Sequence, residues 1–180
     1  MKRLGLVMVA VALCAVAARP AMAQGVRYGV SAGVLLPMGN YGDVDKMGFV
    51  GGVGATYWLA GQPIGIRGDV SYSQTSHDGG TSGNSKIIGG MASVVYALNP
   101  ATAPARILLS GGVGMYNVKL DFGGVTGSET KVGFGGGLAV AFKMGTGSTR
   151  LVLGTRFTSI STSNSSMTFL PITVGLSFGK

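Results

Sequence analysis

The chain is poor in the groups from which most protein chemistry is built. It has a single cysteine, Cys14, so no disulfide within the chain can hold it together and no set of thiolates can bind zinc. It has one histidine, His77, and only six acids in 180 residues. Charged residues make up 11% of the sequence, and beyond residue 3 Lys and Arg stand singly, without a basic run or a recognition helix, so nucleic acid is excluded as a partner. After residue 18 no continuous apolar run approaches the roughly 20 residues that a helix needs to cross a bilayer, which excludes a helical membrane protein.

The one long apolar run is at the front. Lys2 and Arg3 precede Leu4 to Ala18, and Arg19-Pro-Ala-Met-Ala-Gln24 follows, with Ala21 and Ala23 in the small-residue pattern after which a signal peptidase cuts. Residues 1–23 are therefore read as an export signal cleaved between Ala23 and Gln24, leaving one domain over residues 24–180. Cys14 leaves with the signal. Leu13 stands before it where a lipoprotein would carry a small residue, so acyl anchoring is not expected. Lys2, Arg3 and Arg19 also leave, and the remaining Lys and Arg still outnumber the acids, a moderate excess suited to anionic lipid surfaces. Thirty-three glycines and six prolines approach a disordered composition, but disordered segments lack periodic apolar residues and this chain has them throughout.

What is present is alternation with a period of two, the signature of a strand with one apolar face. Val26, Tyr28, Val30, Ala32 and Val34 alternate with Arg27, Gly29, Ser31 and Gly33. Phe49, Val53 and Tyr57 alternate with Gly52, Gly54 and Thr56; Ile66, Val70 and Tyr72 with Arg67, Asp69 and Ser71. A fourth segment, Lys86 to Leu98, is the least clean, because Ile87, Met91 and Val95 are apolar opposite Ile88, Ala92, Val94 and Tyr96. Ile107 to Tyr116, Lys131 to Lys143, Arg150 to Thr158 and Leu170 to Phe178 complete eight segments, each near the ~9–11 residues of a tilted membrane-crossing strand. The connections alternate too. Pro37 to Gly48, Gln74 to Ser85, Lys119 to Glu129 and Ser161 to Thr168 are expected as longer polar loops, and Ala60 to Pro63, Asn99 to Pro104 and Met144 to Ser148 as short turns. The fold expected is all-β: an eight-stranded antiparallel up-and-down transmembrane β-barrel, with apolar side chains toward lipid, a polar lumen, and aromatics near the segment ends as interfacial girdles. A soluble sandwich or lipocalin-type barrel would reverse the two faces, and the set opposite the large apolar residues is too polar for a dry core.

Gly112-Val-Gly-Met-Tyr116, the glycine column Gly133 to Gly137 and the closing Leu170-Pro-Ile-Thr-Val-Gly-Leu-Ser-Phe178, following Ala21-x-Ala23 processing, give a chain that resembles the OmpA/OmpX-like eight-stranded outer-membrane barrels over its whole mature length. The resemblance implies an outer-membrane location, contact with outer-membrane lipids and lipopolysaccharide, and folding by the barrel assembly machinery. The family's closing aromatic stands at the very C-terminus, whereas here Gly179-Lys180 follow Phe178.

Candidate sites are few. Arg67, Asp69 and Arg156 project inward, where buried charges must pair or be hydrated, so an ion network centred on Asp69 is expected to fill the lumen as a structural plug. Lys46, Lys86, Lys119 and Lys131 fall toward the loop side as a rim for lipopolysaccharide phosphates. Ser76, His77 and Asp78 are consecutive on one loop, and adjacent side chains point apart on an extended chain, so no catalytic triad is read there. Asp43, Asp45, Asp78 and Asp121 are spread over separate loops without the tight spacing of a calcium loop, and neither a metal nor a cofactor is expected. The reading is a monomeric, non-enzymatic outer-membrane protein with a structural or surface-interaction role and an extracellular partner that the residues do not identify. A small-solute channel and a lipid A-modifying barrel enzyme are the alternatives.

Overall fold

A computed structural model describes residues 25–39, 42, 45–76, 83–122, 125–161 and 166–179. The cleavage pair Ala23–Gln24, Asp43 and the His77–Asp78 loop lie outside the described residues. Eight strands follow one another: β1 Val26–Met38, β2 Gly48–Trp58, β3 Ile64–Ser76, β4 Gly83–Ala97, β5 Ala105–Phe122, β6 Val125–Lys143, β7 Arg150–Ser161 and β8 Ser166–Gly179. Each pairs antiparallel with its neighbours in chain order, and β8 closes on β1 from Arg27 opposite Gly179 to Met38 opposite Thr168. Closure removes the unpaired backbone edges that hydrocarbon could not satisfy.

Alternation sets the faces. Val30, Val53, Ile66, Val94, Val113, Val132 and Val174 stand on the outside, Val113 63% exposed, as the apolar skin of the barrel. In the ambiguous segment β4, Ile88, Val94 and Tyr96 face out and Ile87, Met91 and Val95 are buried inside. Tyr28 and Phe178 meet at one end of the skin with ring centroids 6.3 Å apart, and Phe49 and Tyr72 meet at the other, 5.9 Å apart. On β2 the two levels are marked by Tyr57 and Phe49. Eight steps of ~3.3 Å at a tilt of ~40° give a height of roughly 20 Å, close to the ~25 Å apolar band of an outer-membrane barrel.

The two ends differ. Residues 59–63, 98–104 and 144–149 make short connections at the end where Val26 and Gly179 also lie. At the opposite end the strands run on further than the side-chain pattern suggests. The loop expected over Lys119 to Glu129 is a continuation of β5 and β6, which are 18 and 19 residues long and joined at residues 123–124. Backbone pairing carries them past the apolar skin, where Asn117, Lys119, Ser128 and Thr130 replace apolar residues on the outer face: Asn117 donates to Thr130 at 3.1 Å and Ser128 to Asn117 at 3.2 Å. β7 joins β6 only from Gly133 onward, so among the described residues the outer edge of β6 over residues 125–132 carries no neighbour.

The lumen is not uniformly polar, which corrects the expectation. At the long-hairpin end Leu35, Val50, Ile87, Tyr116, Val118, Ile160 and Phe169 converge into one apolar cluster, with Leu35 and Ile160 fully buried. Single apolar residues on different strands come level only through the stagger of the barrel, and that is a property of register. Glycines make the room. A Cβ on Gly89 would lie 2.2 Å from the Tyr116 ring and one on Gly133 2.9 Å from it, so the ring rests between two bare backbones and packs edge-on to Phe169.

Candidate functional site

Asp69 sits in the middle of the lumen, its side chain 10% exposed. β3 turns it inward together with Arg67 by strand parity, and β7 brings Arg156 to it from another side of the barrel. Arg156 is bidentate, Nη1 to Oδ2 at 2.9 Å and Nη2 to Oδ1 at 3.0 Å, while Arg67 Nε lies 3.3 Å from Oδ1. One carboxylate thus holds two guanidinium groups, and the paired geometry offsets the several kcal/mol that each ion costs to desolvate.

Three more arginines point into the short-turn end. Arg27 on β1 donates to Ser177 Oγ (3.1 Å), to the carbonyls of Gly179 (3.1 Å) and Ser177 (3.1 Å), and to that of Ser148. Arg150 on β7 donates to the carbonyls of Ala101 (2.6 Å), Ala103 (3.3 Å) and Ala141 (3.3 Å). Arg106 on β5 crosses the lumen to lie over the Trp58 ring of β2, 3.9 Å from its centroid. Sequence reasoning assigned Arg27 and Arg150 to the inner face without joining them into a site, and it missed Arg106. That residue stands just ahead of the apolar part of its strand and two places after Pro104, where alternation has not yet begun.

A cavity of about 840 Å³ links these groups. It begins at the short-turn mouth beside Gln62, Asn99 and Ala101, passes Arg106 and Asp69, and ends under Tyr116 and Phe169.

On the outside, at the long-hairpin end, Lys86 and Lys119 lie directly opposite each other across β4 and β5, flanked in register by Gln74 on β3 and Ser128 on β6. Both lysines are exposed, one step beyond the row of Tyr72, Ile88, Asn117 and Thr130. Lys46, also exposed, precedes β2 at the same end and bonds through its backbone to the Ser76 carbonyl. Lys131 does not share that face. It is turned inward beside Gly133, its side chain 16% exposed, and pairs with Glu129. Among the described residues no group of acids, histidines or cysteines is arranged to hold a metal.

A family model for the outer membrane protein beta-barrel domain matches residues 7–178. Among solved structures, the Neisserial surface protein A is similar at a TM-score of 0.67 and 19% identity, covering 86% of this chain and 96% of its own. Ail of Yersinia pestis, in a phospholipid bilayer nanodisc, is similar at 0.53 and 20% identity, covering 86% and 100%. The outer membrane enzyme PagL is similar at 0.52 and 13% identity, covering 86% and 99%. At these identities the likeness is one of fold. A comparison with curated protein sequences finds no match.

Proposed function

Because the chain belongs to the outer membrane protein β-barrel family and resides in the outer membrane, we propose that it is a non-enzymatic, monomeric barrel that acts at the cell surface through its long-hairpin end. Short turns face the periplasm in such barrels, which puts the extended β4, β5 and β6 outside. The observation that carries the reading is this sheet: it stands beyond the apolar skin, carries Asn117, Lys119, Ser128 and Thr130 on its outer face, and among the described residues leaves the edge of β6 unpaired over residues 125–132. A barrel that served only as a wall would have no use for strands continued past the lipid.

Lys86 and Lys119 belong to the same reading. Like charges directly opposite each other destabilise a sheet, and neither lysine forms an ion pair among the described residues. Set just outside the skin, the pair meets lipopolysaccharide phosphates, which would turn a local repulsion into an attachment. The double variant Lys86→Gln/Lys119→Gln should bind lipopolysaccharide several-fold more weakly at low salt and equally at high salt, measured by co-sedimentation. Equal binding at low salt would remove the rim from the proposal.

A channel is the second reading, favoured by the cavity that opens at the short-turn mouth. The apolar cluster from Leu35 to Phe169 stands against it, since an ion passing there would lose its hydration among buried side chains. Recording in planar bilayers separates the two. No unitary steps are expected from the wild-type barrel, and steady steps would establish the channel.

A further inference from the structure

We infer that the periplasmic mouth of the lumen is a binding site for a phosphate-bearing anion, built from Arg106 with Arg27 and Arg150. Three strands far apart in sequence, β1, β5 and β7, bring these guanidinium groups close enough to repel one another. Lys143, opposite Arg150 in the β6–β7 register, adds a fourth positive charge at the rim. No carboxylate among the described residues pairs with any of them, and Asp69 is already taken by Arg67 and Arg156. Like charges converging on a cavity without a counter-charge among the described residues are held there at a cost to folding, and an anion from outside removes that cost.

The three arginines are not equivalent. Arg27 and Arg150 are fastened by main-chain carbonyls and Ser177, neutral acceptors that fix a positive charge without cancelling it. Arg106 donates no hydrogen bond to any described residue; its Cζ lies over the Trp58 ring, 3.9 Å from the centroid. A guanidinium held over a ring by cation–π attraction keeps its N–H donors for an acceptor. Arg106 Nε and Trp58 Nε1 are both buried donors without an acceptor, so the cluster is short of acceptor atoms as well as negative charge. A planar fork matches the oxygens of phosphate bidentately, and a group carrying up to two negative charges suits a cluster of arginines better than a single carboxylate does. The phosphate has two possible sources: a soluble phosphate compound in the periplasm, or the headgroup of an inner-leaflet lipid at the mouth.

Trp58 is the sole tryptophan of the chain and sits in the site, so its emission reports on the stack. The barrel is refolded in a non-ionic detergent, with heat-modifiable gel migration as the check of closure. It is then titrated with sodium pyrophosphate, with short-chain phosphatidic acid, and with sodium chloride at matched ionic strength. A saturable change in emission at millimolar pyrophosphate or below is expected if the source is soluble; a change with phosphatidic acid alone identifies the lipid source. Arg106→Gln, followed by calorimetry because its starting emission differs, should weaken the responding anion by about tenfold or more, and Lys86→Gln, at the far end, should leave it unchanged. If Arg106→Gln does not close, Arg106→Lys replaces it and is expected to bind several-fold more weakly. No response to either phosphate, a response that chloride reproduces, or affinity equal in wild type and the Arg106 variant would overturn the inference.

Discussion

At the scale of single residues, Asp69 is the group on which the interior turns. It neutralises Arg156 through two hydrogen bonds and Arg67 through a third contact, in a lumen otherwise rich in positive charge. Asp69→Asn keeps the shape and removes the charge, leaving two arginines facing each other without a counterion. A loss of about 3 kcal/mol is expected, read from urea unfolding of the barrel in lipid vesicles. Adding Arg156→Gln should restore part of it, because one of the two orphaned charges is then gone. The members of this group were legible in the sequence, since strand parity alone decides that Arg67, Asp69 and Arg156 share the inner face. Their joining into one network centred on Asp69 was legible too, because a buried charge needs a partner; the separate cluster of Arg27, Arg106 and Arg150 was not. Height along the barrel axis depends on the stagger between strands, and no residue carries that information by itself.

At the scale of elements, the β5–β6 hairpin shows where pattern reading stops. Inside the bilayer every second residue is apolar, and the segments Ile107 to Tyr116 and Lys131 to Lys143 declare themselves. Beyond it the apolar period leaves the outward face, where Asn117 and Lys119 stand, and passes to the inward one with Tyr116 and Val118, while the same strands continue through Phe122 and from Val125. The pairing of Val118 with Glu129, Lys119 with Ser128 and Leu120 with Gly127 marks them as strand. Deleting residues 121, 122, 125 and 126 would shorten both arms equally, keep every remaining pair in register and leave the apolar cluster intact. Stability should change by no more than about 0.5 kcal/mol, as for surface changes away from packed features, and gel migration should remain that of a closed barrel. Binding to cells or serum components, if the extended sheet carries it, should fall. Unchanged binding would place the interaction on another hairpin.

For the molecule as a whole, the solvent outside decides which face is which. Val53 lies midway between Phe49 and Tyr57 on β2 and is 58% exposed, which in water would be a defect and in hydrocarbon is the rule. Val53→Arg should cost about 2–4 kcal/mol of folding free energy in bilayers, and Ser128→Arg, beyond the skin, close to nothing. Equal costs would mean that lipid does not cover Val53. The eight strands, their order and their polarity were all readable from alternation and turn spacing, because a barrel wall two-faced in this way repeats one rule eight times. The dry upper lumen was not readable, because it is assembled from the few residues that break the rule: Leu35, Val50 and Phe169 each stand where their strand otherwise turns mostly small or polar residues inward.

Arg27 and Gly179 face each other across the seam between β1 and β8. The wall consequently has no privileged beginning. A circular permutant, joined by a short linker at that point and cut at the exposed turn around Gly145, would start at β7 and trace the same closed ring, and its ability to insert would show whether folding depends on which strand is made first.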